Sequence, residues 1–139
     1  MEWTFASLRD FKDELQQFCG TEMYFLHRLE PTVVCTEGVE HLARKAKAYW
    51  LIDAIAAHFD TKLMREAMEQ DERLKTFQVW SLELIYNTGL QGMLLGRADS
   101  NVRPFVEQHL DTHEFPLGFI EIWAAWDGSR WVLYLPNEH

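Results

Sequence analysis

The chain has 139 residues, 47% apolar and 14% aromatic, with 22 acidic against 13 basic side chains and a net charge of −9. That length suits one domain, and its aromatic content excludes an intrinsically disordered chain. The charge argues against a direct grip on nucleic acid, and the longest apolar run, residues 48–59, falls short of the about 20 residues a membrane span needs.

Residues 7–18 read as an amphipathic helix, because Leu8, Phe11, Leu15 and Phe18 recur at spacings of three and four. Ser7 and Asp10 suit its start, and Cys19-Gly20 its end. Residues 23–29 and 33–35 are short extended pieces. Thr36 is an expected N-cap, with Glu37 and Glu40 at the positive end of the helix dipole and Val39, Leu42, Ala43 and Ala46 marking one face. Residues 48–59 are apolar nearly all round, which predicts a helix at the centre of the domain. A charged helical piece follows over residues 62–72.

After Thr76 the period becomes two. Residues 77–86 predict a strand, Asn87-Thr88-Gly89 a turn, and residues 90–97 the returning strand. A third strand is expected over 102–109, with Pro104 near its start. Residues 119–126 and 131–135 form the clearest hairpin, around Asp127-Gly128-Ser129-Arg130. The predicted fold is α+β, one domain over residues 1–139. Its N-terminal helices, within about 7–75, cover one face of a mostly antiparallel C-terminal sheet of four to five strands, within about 77–136.

Cys19 and Cys35 stand outside any C-x-x-C motif and read as small hydrophobes rather than as a bridge. The N-terminal stretch lacks the basic and continuously apolar regions of a secretion signal, so a cytoplasmic location is expected. His109 and His113 are spaced H-x3-H, but Asp111, Thr112 and Pro116 break the helix that would present them together. No metal and no cofactor is expected. Nucleophile motifs and phosphate-binding glycine loops are absent.

One polar group stands out: Glu22, Tyr24, His27, Tyr49, Trp50 and Asp53. On a helix, Asp53 lies one turn from both Tyr49 and Trp50. A carboxylate within YWLIDAIAA needs a partner if buried, such as a hydroxyl, backbone N–H groups or His27. It reads either as a ligand-gripping or acid–base group, or as a buried latch fixing the helix to the Glu22–His27 segment. Trp80, Trp123, Trp126 and Trp131 belong to the sheet, with Trp123 expected near Trp131.

The segments QFCGTEMYFLH (17–27), CTEGVEHLARKAKAYWLIDAIA (35–56), FQVWSLEL (77–84), FPLGFIEIW (115–123) and LPNEH (135–139) resemble a family of small uncharacterised bacterial proteins, frequent on phages and other mobile elements. That family shows QFTGTE-x-Y-Y-x-H, T-D-G-V, Y-W-L-L-D, F-Q-x-W, F-P-L and L-P-S-E. This chain has Cys19 where the pattern has Thr and Glu37 where it has Asp. The resemblance implies an accessory protein and brings no activity.

Three functional readings result. The first is a non-enzymatic binding or regulatory protein meeting a protein partner through an acidic or aromatic surface. The second is a small-molecule-binding or hydrolytic domain built on Glu22, His27 and Asp53. The third is a structural module that self-associates as a dimer.

Overall fold

A computed structural model describes residues 3–85 and 89–139. Helix α1, Phe5–Gln16, starts two residues before the predicted one, because Thr4 and Ser7 form a capping box. Strands β1, Phe25–Leu26, and β2, Val33–Cys35, follow as an antiparallel pair. Thr36 caps helix α2, Glu37–Lys45, as expected, its hydroxyl accepting from the Val39 N–H.

The two helical stretches read on either side of residue 47 are separate helices. Lys47 takes a left-handed conformation at φ 53°, and α3, Tyr49–Ala56, begins as a separate helix. The backbone at the break satisfies itself: the Ala48 N–H donates to the Ala43 carbonyl at 2.7 Å, and the Lys47 N–H to that of Arg44 at 3.4 Å. This is a Schellman closure with lysine where glycine is usual, so the sequence carries no stop signal. Helix α4, Lys62–Gln70, and a 3-10 turn, Glu72–Lys75, complete the helical segments before the long strands.

Strands β3, Phe77–Ile85, β4, Gln91–Arg97, β5, Val106–Asp111, β6, Phe119–Trp126, and β7, Trp131–Tyr134, follow. Tyr86, Asn87 and Thr88, at the end of the predicted strand and the start of the predicted turn, lie outside the described residues. The third strand lies four residues later than expected at its start, beyond Pro104.

The sheet order is β1-β2-β7-β6-β3-β4-β5, seven strands rather than the four or five expected. It is also mixed: β2 runs parallel to β7, pairing Val33 with Trp131 and Cys35 with Leu133. Two- and three-residue strands carry too little alternation to announce their place in a sheet, and a parallel partner about 100 positions away leaves no local pattern at all. The sheet is therefore not confined to the second half of the chain.

The helices cover one face. Phe11, Leu15, Val39, Leu42, Leu51, Ile52, Ile55 and Met64 meet Trp80, Leu82, Leu94, Ile122, Ala124 and Leu133 in a continuous core. Strand β3 shows how the FQVW segment serves it. Gln78 is fully buried, but its amide donates to the Leu74 carbonyl at 3.0 Å and accepts from the Trp80 indole at 3.0 Å. Opposite Trp80 stands Gly96, where a Cβ would lie 3.1 Å from the indole ring. The last hairpin pairs Trp126 with Trp131 and Trp123 with Tyr134, so the expected Trp123–Trp131 neighbours are displaced by three residues.

Candidate functional site

Two polar constellations tie distant parts of the chain together around helix α2. The first is a latch. In the final turn, Pro136–Glu138, the Glu138 carboxylate accepts from the Thr36 hydroxyl at 2.7 Å, the Leu135 N–H at 2.9 Å and the Gly38 N–H at 3.3 Å. A Cβ on Gly38 would lie 2.5 Å from Glu138 Oε1, so the carboxylate reaches the helix start only because that position is glycine. Asn137 donates to the carbonyls of Leu15 and Phe18, fixing the end of α1 to the same tail. Thr21 adds the GTE segment by accepting from the Glu37 N–H at 3.1 Å. This latch uses TEGV and LPNE together. His139 is stacked on Tyr134 and hydrogen-bonded to its hydroxyl at 2.8 Å.

The second constellation opens on a cleft of about 420 Å³ lined by Phe25, Leu26, His27, Arg28, Cys35, Val39, Glu40, Ala43, Tyr49, Ile52 and Asp53. The β1–β2 hairpin forms one wall, and α2 and α3 form the others. The break at Lys47 turns α3 so that Tyr49 comes back against Glu40, its hydroxyl donating to Oε1 at 2.6 Å.

The imidazole of His27 is buried at the end of β1. Its Nδ1 accepts from the backbone N–H groups of Glu30 at 2.9 Å and Leu29 at 3.1 Å. A nitrogen accepting two N–H groups carries a lone pair, so the hydrogen-bond geometry assigns the ring proton to Nε2. Nε2–H then donates to Asp53 Oδ1 at 2.8 Å. Side-chain exposure is 7% for His27 and 48% for Asp53. The pair is thus inverted relative to a catalytic His–Asp couple: the carboxylate faces the cleft, and the imidazole stands behind it and orients it.

Of the two alternatives for Asp53, the buried latch does not fit that exposure. α3 is a short helix at the edge of the core, with Leu51, Ile52, Ile55 and Ala56 turned inward and Tyr49 and Asp53 outward. Of the six residues singled out in the sequence, the cleft gathers His27, Tyr49 and Asp53. Glu22 is exposed on the segment before β1 and does not line it. Tyr24 lines a different hollow, of about 350 Å³, with Val132 and Tyr134. Trp50 packs on His113 and Phe115 with its indole N–H buried and unpaired.

Cys35 and Glu40 belong to the cleft and were not singled out. Each had a sufficient local explanation, as a small hydrophobe and as a first-turn acid. The available signal was that the quoted block 35–56 holds them together with Tyr49 and Asp53. Burial, with the nearby Glu40 and Asp53 carboxylates, pushes the Cys35 thiol up to about 12. The Glu40 hydrogen bond, aided by desolvation, pushes the Tyr49 phenol up to about 12 as well. Both groups are neutral at physiological pH.

Among the described residues no group of three His, Cys, Asp or Glu side chains is placed to hold a metal; His109 lies on β5, and His113 follows it at φ 48°. No helix is long and apolar enough to cross a membrane, again among the described residues. In comparisons with known proteins, the sequence model described as a family of unknown function (DUF6876) matches residues 9–139. No curated protein and no solved structure matches the chain.

Proposed function

The chain belongs to the DUF6876 family, and from its geometry we propose that it is a small-molecule-binding protein whose site is the cleft between the β1–β2 hairpin, α2 and α3. The observation carrying this reading is the oriented, half-exposed Asp53 carboxylate at an open cleft whose remaining lining is largely apolar. A volume of about 420 Å³ lies within the range of small-ligand sites. An apolar lining with a few converging polar groups is their usual composition.

Binding is favoured over covalent chemistry. Among the described residues the only sulfur in the lining, that of Cys35, is a thiol rather than a thiolate at neutral pH and so is a poor nucleophile. Its placement suits a floor. The same reading accommodates an accessory protein of bacterial or mobile-element origin acting in the cytoplasm, since ligand binding is sufficient for a regulatory role.

A second reading, contact with a protein partner, has its own observation. Met23, Tyr24, Leu26 and Leu29 are all exposed along the segment that carries β1. The two readings separate in one experiment. Backbone amide shifts of the labelled full chain, recorded against a library of small fragments, should move at residues 25–28, 35–43 and 49–53. Fragments that bind only elsewhere, or none that bind, would remove the first reading.

A further inference from the structure

We infer that the cleft takes a cation on an apolar stem, an alkylammonium or alkylguanidinium group, with Asp53 and Glu40 receiving the charged head. This rests on the small-molecule reading above and specifies its ligand class. Each carboxylate has one oxygen committed inside the chain: Oδ1 of Asp53 to His27 and Oε1 of Glu40 to Tyr49. Among the described residues the second oxygen of each, Oδ2 and Oε2, accepts no hydrogen bond from the chain.

Four of the donors beside them are already spent, and the Arg28 guanidinium is directed at neither carboxylate. His27 Nε2–H and the Tyr49 hydroxyl point at the carboxylates, and the Leu29 and Glu30 N–H groups point at His27 Nδ1. An occupant that brings donors fills that remaining capacity. A neutral donor already makes a charge-assisted bond to a carboxylate, and a cationic one adds charge–charge attraction to it.

Charge selects in the same direction. The lining holds two carboxylates and one guanidinium, that of Arg28, which makes no ion pair with either carboxylate. An anion would meet two like charges here, on a chain already at −9. Phe25, Val39, Ala43 and Ile52 supply the apolar walls for a stem. Such a head and stem occur both in free amines and in lysine or arginine side chains of a peptide, and the cleft chemistry is common to both.

The test is calorimetric titration of the full chain with hexylammonium, hexanol, hexanoate and a short blocked peptide carrying one lysine. Hexylammonium should bind about tenfold or more tighter than hexanol, and hexanoate weakest. Asp53→Asn should erase most of the ammonium advantage over hexanol while leaving the thermal midpoint in place. Arg28→Gln, which removes the one cation of the lining, should strengthen ammonium binding. If the peptide matches hexylammonium, the source is a protein side chain; if only the free amine binds, it is a metabolite; both support the class. Equal or tighter binding of hexanol or hexanoate, with amide shifts still at the cleft, would overturn the cationic class and leave the small-molecule reading standing. Absence of cleft shifts with every probe would overturn both.

Discussion

Asp53 and Glu138 are both carboxylates that tie separate segments of the chain together, yet they have opposite characters. Glu138 accepts three hydrogen bonds from Thr36, Leu135 and Gly38 and occupies the space a Cβ on Gly38 would take. Asp53 accepts one, from His27, and is half exposed on a cleft. A carboxylate whose oxygens are filled by the fold is an element of the fold. One left with free acceptor capacity beside a cavity is available to something else. The difference lies in unused valence rather than in residue type.

Substitutions can break that contrast. The largest effects belong to the latch. Glu138→Ala orphans a hydroxyl and two backbone N–H groups and should cost about 2–4 kcal/mol, read by chemical denaturation. Gly38→Ala should cost a similar amount, because the new methyl group expels the same carboxylate. Since both remove one interaction, the double variant should cost much less than their sum; full additivity would mean that Gly38 and Glu138 act separately.

Behind the cleft, His27→Ala removes the acceptor of the Leu29 and Glu30 N–H groups and the donor to Asp53. About 2 kcal/mol should be lost, as the partners are only partly sealed from water. A loss below about 0.5 kcal/mol would show that the hairpin end is not held by this ring.

Tyr49→Phe deletes a single hydrogen bond on a half-exposed ring, and should cost under about 1 kcal/mol at neutral pH. The sign with pH follows from the phenol's upward shift, from 10.0 to about 12, which means that the fold favours the neutral form. The contribution is full below the unfolded value and vanishes as pH rises through the folded one. The stability gap between wild type and Tyr49→Phe should therefore close between pH 10.0 and about 12. A gap that widens with alkali would contradict the Tyr49–Glu40 bond.

Smallest of all is Asp53→Asn. It alters an exposed carboxylate and keeps the shape, so stability should move by less than about 0.5 kcal/mol. A loss as large as that of Glu138→Ala would erase the distinction between the two regions and make Asp53 a second latch.

Much of the fold was legible in local pattern. The alternation from Phe77 onward, the turn residues around Gly128 and the amphipathic period of α1 each predict their element from neighbours within a few positions. The candidate site was legible only in part. His27, Tyr49 and Asp53 are polar residues in apolar surroundings, and that contrast singled them out. The same rule also singled out Glu22, Tyr24 and Trp50, which the fold sends elsewhere.

By itself, then, the sequence determined the periodic elements, their order and the presence of polar groups that need partners, because hydrophobic period and capping act over a few residues. Tertiary structure alone decided the rest. It set β2 parallel to β7, stopped α2 at a left-handed lysine and left Asp53 half exposed against a buried imidazole. The first and last of these are fixed by contacts between residues far apart in the chain, where no local pattern extends, whereas the lysine stop closes on local backbone hydrogen bonds with no glycine to announce it. Asp53, which its neighbours left open between a buried latch and a ligand-gripping group, is a carboxylate facing a cleft because α3 turns only one of its faces to the core.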